Sequence, residues 1–243
     1  MNTINIYKTL ASVLLVAFML TSLTTLAQGR RNLKGEGEPV SQDRKVSGFK
    51  GIDVGGGFAV EVTQSSKEGV RIEAQENLLN SIRTEVKNGV LHIYTSDNIS
   101  TNKSLKAYIS VKELNMLDIS GGVEVTGTST FKADAFKMDL SGGSKVTLAL
   151  NTKKLTADMS GGSNVKLSGR ADEMRMDMSG GSKVDASELE AKDVYLEAIG
   201  ASNVKVFAKN KLSVNASGAT KVAYKGDPSV SSNVSAAAKI SKM

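Results

Sequence analysis

An acidic side chain recurs at one fixed place in a repeated motif, and it is the most regular candidate for chemistry in the sequence. If the repeats stack, these side chains form an outward row about 5 Å apart, which is repulsive unless the charges are compensated. Oxygen ligands at such a spacing can hold Ca²⁺, so the calcium candidates are Asp118, Asp139, Asp158 and Asp177. The favoured alternative is a row without metal, continued by Glu197 and Asn215 and neutralised by neighbouring basic residues, namely Lys137, Lys145, Arg175, Lys183 and Lys205.

Catalytic and cofactor chemistry finds little support in the remaining residues. The absence of Cys excludes a disulfide scaffold, a Cys nucleophile and a Cys-ligated metal, and a single His leaves no room for a His pair. His92 lies in an alternating strand pattern and is expected to be exposed and without a partner. Two catalytic carboxyls need unlike environments, whereas these acids recur identically. We therefore expect no enzyme, no catalytic residue and no cofactor.

The N-terminus resembles a processing signal. Lys8 precedes an apolar run over residues 10–20, which is shorter than the roughly 20 residues of a spanning helix. Thr25 and Ala27 supply small residues at the −3 and −1 positions of a signal-peptidase site. We predict a signal peptide over 1–27, cleaved between Ala27 and Gln28, with no transmembrane span after its removal. An uncleaved membrane anchor is the alternative.

The chain after the predicted cleavage site divides into an arm and a β-rich region. Residues 28–45 are polar and Gly-rich without periodicity, which predicts a flexible arm. Residues 46–115 alternate with a period of two and predict strands. Asn88-Gly89 is the pair favoured in a two-residue hairpin turn. Residues 76–82 form the one plausible helical turn outside the signal.

Residues 116–225 contain a repeat that decides the fold. Its first glycine recurs in six copies at steps of 21, 19, 19, 20 and 18 residues, at Gly121, Gly142, Gly161, Gly180, Gly200 and Gly218. A period near 20 indicates a stacked array. Two short alternating runs flank each glycine and no helical period fits between them, so one unit corresponds to one coil of a parallel β-helix, expected to be right-handed. An antiparallel meander or sandwich is the alternative.

Glycine and serine are expected to shape the corners, and apolar residues to stack inside. Glycine adopts a positive φ without a Cβ clash, and the Ser before it can hydrogen-bond to the corner backbone. One inward column is predicted for the valines at 125, 146, 165, 184, 204 and 222. A second is predicted for Met138, Met159, Met178 and Ala198. Residues 226–240 would form a degenerate last coil.

The repeated Asp-x-Ser-Gly-Gly-Ser-x-Val units resemble the bacterial family of auto-transporter adhesins with a head GIN domain. The segments 44–54, 88–94 and 224–228 are similar to it as well, so the resemblance covers about 46–240 as a single domain. It implies a right-handed β-helix exported by Bacteroidota-type bacteria. The family's name suggests adhesion, and its motifs are specific for the fold rather than for a chemistry.

Three classes of function are compatible with an exported β-helix. We favour a non-enzymatic, adhesin-like protein of the envelope or cell surface, either periplasmic or extracellular, that presents its faces to an envelope polysaccharide or a surface protein. The alternatives are a periplasmic structural or envelope-stress protein without a dedicated ligand, and a carbohydrate-active enzyme. An exposed aromatic row would favour glycans, and its candidates are Tyr195, Phe207 and Tyr224. The mild net charge of +6 argues against nucleic acid, and no pattern indicates an oligomeric state.

Overall fold

The residues that the structure describes form strands joined by turns, with one short 3₁₀ helix. The computed structural model describes residues 30–235 and 237–243, and Asn32–Met243 form one compact unit. The predicted signal peptide and its cleavage site at Ala27 and Gln28 lie outside the described residues. Among the described residues, no helix is long and apolar enough to cross a membrane. The N-terminal elements are β1 (Asn32–Lys34), β2 (Pro39–Arg44), β3 (Gly51–Gly56), β4 (Phe58–Gln64), β5 (Gly69–Gln75), a 3₁₀ helix (Glu76–Ser81), β6 (Ile82–Lys87), β7 (Val90–Thr95), β8 (Asn98–Ser100) and β9 (Leu105–Val111).

Nine further strands build the repeated coils. They are β10 (Met116–Gly121), β11 (Glu124–Gly142), β12 (Lys145–Gly161), β13 (Asn164–Gly180), β14 (Lys183–Gly200), β15 (Asn203–Gly218), β16 (Lys221–Lys225), β17 (Ser229–Val234) and β18 (Lys239–Lys242). Every pairing from β10 to β18 is parallel. The predicted parallel β-helix is therefore confirmed, and the antiparallel meander was wrong.

The stack of coils begins earlier than the visible repeat. β3 pairs in parallel with β10, which places Asp53 opposite Asp118 and Gly56 opposite Gly121. β4 pairs in parallel with β11 in the same way. Beside these coils, β6 and β7 form an antiparallel hairpin whose turn residues, Asn88 and Gly89, have φ angles of 51° and 75°. The region 46–115 therefore supplies both the hairpin and the first coil.

The segment predicted as a flexible arm contains two strands. β2 pairs antiparallel with β5, and β1 pairs in parallel with β8. Side chains hold the segment as well: the Arg44 guanidinium donates to the Leu79 carbonyl at 2.9 Å, and the Gln75 amide donates to the Gly37 carbonyl at 2.8 Å. β2 is polar because it lies at a sheet edge with four of its six residues exposed. Its composition therefore resembled that of a flexible arm.

Buried columns fill the interior of the coils. The six valines of the predicted column pair in register and are at most 2% exposed. Full burial of each such side chain contributes about 1.5–3 kcal/mol. The methionines form two columns instead of the predicted one, because Met138 aligns with Ala157 while Met159 aligns with Leu140. A two-residue offset along the strand keeps both columns inside.

The glycine corners bring successive coils close together. All six repeat glycines have positive φ, between 77° and 130°. At Gly161, where φ is 105°, a Cβ atom would lie 2.7 Å from the carbonyl oxygen of Gly142 in the coil before. Glycine removes both the conformational strain and this contact. The second glycine of the pair is different, since a Cβ on Gly162 would meet no atom within 4 Å.

The hydroxyls that support the corner backbone follow the glycines. Ser163 is 1% exposed and donates to the Gly142 carbonyl at 3.3 Å. The equivalent buried hydroxyls bond the preceding coil in the same way, at Ser144, Ser182, Ser202 and Thr220. The Ser before the glycines, which we expected in this role, is exposed at 141, 160 and 179, and at 141 it donates to the Ile119 carbonyl of the preceding coil at 3.4 Å. Side chains alternate between the two faces of a strand, so this Ser points outward because the residue before it points inward.

Candidate functional site

The repeated acidic residues form one straight row on the outside of the coils. Asp139 aligns with Asp118 on one side and with Asp158 on the other. The row spans eight coils with a rise of about 4.8 Å per coil, and its members are Asp53, Asp118, Asp139, Asp158, Asp177, Glu197, Asn215 and Asn233. Leu140 and the residues aligned with it point inward, so every acid points outward on the same face.

A second outward row runs parallel to the acids, two residues further along each strand. Ser141, Ser160 and Ser179 align in this row, and Ile199 takes the same place in the next coil. The serines are exposed, and Ile199 is 61% exposed. Between the two rows lies a groove of about 430 Å³, which extends from Asp118 to Glu197. Carboxylates therefore form one wall of the groove, and the other consists of hydroxyls with one apolar side chain.

Burial and repulsion from neighbouring carboxylates raise the pKa values of two members of the row, Asp118 and Asp158. The pKa of Asp118 is raised by burial and then by the charges of Asp53 and Asp139. The pKa of Asp158 is raised by burial and then by Asp139 and Asp177. A negative charge one coil away disfavours ionisation of a carboxyl group. The row therefore carries closely spaced negative charge that the fold itself does not fully compensate.

The basic residues expected to neutralise the row lie mostly elsewhere. Lys137 does bind it, with its ammonium 2.8 Å from the Asp139 carboxylate. Lys145 pairs instead with Glu124 at 2.7 Å, and the Arg175 guanidinium lies over the ring of Tyr195. Lys183 aligns with Asn164, and Lys205 with Asp185, both after the glycine corner. A corner therefore separates three of the five cations from the acids, and of these five it is Lys137 that forms an ion pair with the row.

The calcium candidates do not converge on a point. Asp118, Asp139, Asp158 and Asp177 each occupy a different coil of the row. In the part of the chain that the structure describes, no group of three or more His, Asp or Glu side chains is arranged to hold a metal ion. Ca²⁺ takes six to eight oxygen ligands around one centre. The four carboxylates thus form a line rather than a coordination sphere.

His92 has a partner that the sequence analysis missed. Its Nδ1 atom lies 2.7 Å from the carboxylate of Asp53, and both side chains are about one-third exposed. β7 pairs in parallel with β3, so His92 extends the acid row by one position. Asp53 comes three residues before Gly56, which repeats the spacing from Asp139 to Gly142 in a later corner. That resemblance was the signal that could have connected the two residues.

The three candidate aromatic residues do not form a row. Tyr195 aligns with Arg175 and Ser213. Phe207 aligns with Lys225, and Tyr224 aligns with Val206, one position earlier. Tyr195 is also flanked by cations, because the Arg175 guanidinium and the Lys211 ammonium lie 5.2 Å and 4.9 Å from its ring centre. These three residues therefore do not form a continuous platform on which successive sugar rings could stack.

Comparison with solved structures reproduces the architecture. A putative adhesin from Bacteroides fragilis is 24% identical, with a TM-score of 0.80, and the match covers 87% of this chain and 100% of that one. A putative lipid binding protein from Parabacteroides distasonis is 22% identical, with a TM-score of 0.69 and coverage of 88% and 100%. A putative adhesin from the same species is 19% identical, with a TM-score of 0.66 and coverage of 87% and 100%.

No curated protein matches the sequence at a significant level. A family model matches residues 48–228, which include β3 to β16 and all six repeat corners. This range is more than half of the chain. The protein therefore belongs to the family described as putative auto-transporter adhesin, head GIN domain.

Proposed function

We propose that the protein is an exported, non-enzymatic binding protein of the cell surface, and that the groove between the acid and serine rows is its binding face. The family description supports adhesion. The observation that carries the proposal is the acid row, which runs straight over successive coils with carboxyl groups whose pKa values are raised at Asp118 and Asp158. A row of charges held close together without full compensation gains free energy when cations from a partner approach it.

The partner that fits this face is an extended chain carrying amino or guanidinium groups. The carboxylates repeat once per coil, so a flexible basic segment of a surface protein can place one cation near each of them. A single exposed ion pair contributes only about 0–1 kcal/mol. Affinity must therefore come from several pairs formed together, and the groove supplies five carboxylates in its lining, at Asp118, Asp139, Asp158, Asp177 and Glu197.

Two features favour this partner over a sugar chain and over catalysis. The three candidate aromatic residues occupy separate rows, so they do not supply the continuous stacking surface that a sugar chain would use. The carboxyl groups of Asp118 and Asp158 are also shifted in the same direction by the same causes. Hydrolysis by a pair of carboxyls instead requires environments that push their pKa values apart.

A titration with a labelled oligolysine peptide tests the proposal. The double variant Asp139→Asn/Asp158→Asn removes two charges from the groove. Its matched control, Asp134→Asn/Asp172→Asn, removes two exposed charges that bind Lys153 and Lys192 outside the groove. We expect the groove variant to weaken binding several-fold, the control to bind as the parent does, and added salt to weaken binding by the parent.

Two results would contradict the proposal. Equal weakening by both double variants would show that only net charge matters. Absence of oligolysine binding at low salt would remove the groove as a binding face for cations. In that second case a neutral polysaccharide, which needs no charge on its partner, becomes the better candidate.

A further inference from the structure

The last coil contains a strand, β17, with one unpaired side. β17 pairs in parallel with β15, and among the described residues no strand pairs with its other edge. Val230 aligns with Leu212, and Val234 aligns with Ala216, both of which belong to buried columns. Val230 and Val234 are nevertheless 42% and 38% exposed. Two apolar columns of the interior therefore continue to this edge and lie uncovered there.

The chemistry of β17 is unusual for an exposed edge. The strand consists of Ser, Val and Asn only and carries no charge. Exposed edges are normally protected from further pairing by Lys, Pro or a bulge. β18, the neighbouring edge, carries Lys239 and Lys242, and β6 at the opposite end of the stack carries Arg83, Glu85 and Lys87. β17 can therefore pair with a further strand, whereas charged side chains disfavour such pairing at β18 and β6.

We propose that β17 pairs antiparallel with β17 of a second copy of this chain, around a two-fold axis at Ser232. A two-fold axis perpendicular to the sheet keeps the inward face of both copies on the same side. Side chains alternate along a strand, so inward residues must oppose inward residues. This condition places Val230 opposite Val234 of the second copy and Ser232 opposite its own equivalent. Each uncovered valine then gains an apolar cross-strand neighbour.

Charge selects this pairing over the others that the edges allow. Two β18 strands could also pair antiparallel, with the first residue of each strand opposite the last residue of the other. This register would bring Lys239 next to Lys242 of the second copy, which is repulsive. Pairing of β17 with β6 of a second copy would place Arg83, Glu85 and Lys87 opposite residues without complementary charge. It would also be head-to-tail and build open filaments, whereas the two-fold contact closes at two copies.

Cysteine cross-linking tests the register because the sequence contains no Cys. Directly opposed residues of antiparallel strands have Cα atoms about 4.5–5.5 Å apart, within the range of a disulfide. Ser232→Cys should therefore give a covalent dimer on mild oxidation, seen on a non-reducing gel. The control is Ser229→Cys in the same strand, whose equivalents would lie about 20 Å apart by strand geometry and should stay unlinked.

The state of association in solution provides the second test. The parent should elute as a dimer by light scattering at micromolar concentration, and Val230→Lys should elute as a monomer with an unchanged far-ultraviolet circular dichroism spectrum. A parent that is monomeric at every accessible concentration would overturn the proposal. Equal cross-linking of Ser229→Cys and Ser232→Cys would overturn the register. A series of growing oligomers would point to the head-to-tail contact instead.

Discussion

A methyl group added at Gly161 should cost far more stability than one added at Gly162. The added Cβ would lie 2.7 Å from the Gly142 carbonyl oxygen, in a backbone held at a φ of 105°. A non-glycine residue in so sparsely populated a conformation costs about 1–3 kcal/mol. The same oxygen accepts hydrogen bonds from the Gly162 amide at 3.0 Å and from Ser163 at 3.3 Å. Displacement would weaken both bonds, each worth about 1 kcal/mol.

The combined loss for Gly161→Ala is therefore about 3 kcal/mol or more. In a protein of this size, each kcal/mol lowers the melting temperature by about 2–4 °C, which predicts a decrease of about 6–12 °C. Gly162→Ala is the matched control, because its Cβ meets open space and its φ is not in the left-handed region. Thermal unfolding followed by circular dichroism measures both. Equal decreases for the two variants, or none for Gly161→Ala, would refute the account of the corner.

Two further predictions concern side chains of the repeat. Ser163→Ala removes a buried donor to the Gly142 carbonyl and should lower the free energy of unfolding by about 1–2 kcal/mol. Ser160→Ala, at an exposed residue just before the two glycines, should change it little. A denaturant titration of both variants measures the difference. Asp158→Asn should raise the melting temperature at pH 7, because the raised folded-state pKa of Asp158 means that its charged form is less favourable in the folded than in the unfolded protein. That penalty is present above the folded-state pKa and is lost as the pH falls to the ordinary carboxyl value of 3.8. The increase in melting temperature should therefore shrink over the same interval when melts are recorded at a series of pH values. A variant less stable than the parent at pH 7 would contradict the repulsion.

The repeat made the fold predictable from sequence. Its single period determines where the strands lie, where each corner falls and which residues align between successive coils. Identical motifs in consecutive coils align, so the acid row and the valine column both followed from the period alone. The positive φ of the repeat glycines agrees with the same reasoning, since the close approach of backbones leaves no space for a Cβ. Periodicity is informative wherever neighbours in space are copies of one another.

The features that the sequence analysis missed depend on contacts without a period. β2 is polar because it is an edge strand, which composition alone does not distinguish from a flexible arm. The partner of His92 is 39 residues away in sequence, with β4, β5, the 3₁₀ helix and β6 between them. Lys145 pairs with Glu124 of the preceding coil rather than with an acid of its own coil, and the sequence alone does not distinguish these two partners. Each case needs the three-dimensional path of one particular coil.

Proteolysis of intact cells of the native host tests the central claim of surface exposure most directly. The chain is detected with an antibody before and after protease treatment, and a periplasmic protein serves as the control for an intact outer membrane. The account predicts that the signal is lost from intact cells while the control protein survives. Protection of the chain until the outer membrane is opened would place it in the periplasm and contradict its role as a surface adhesin.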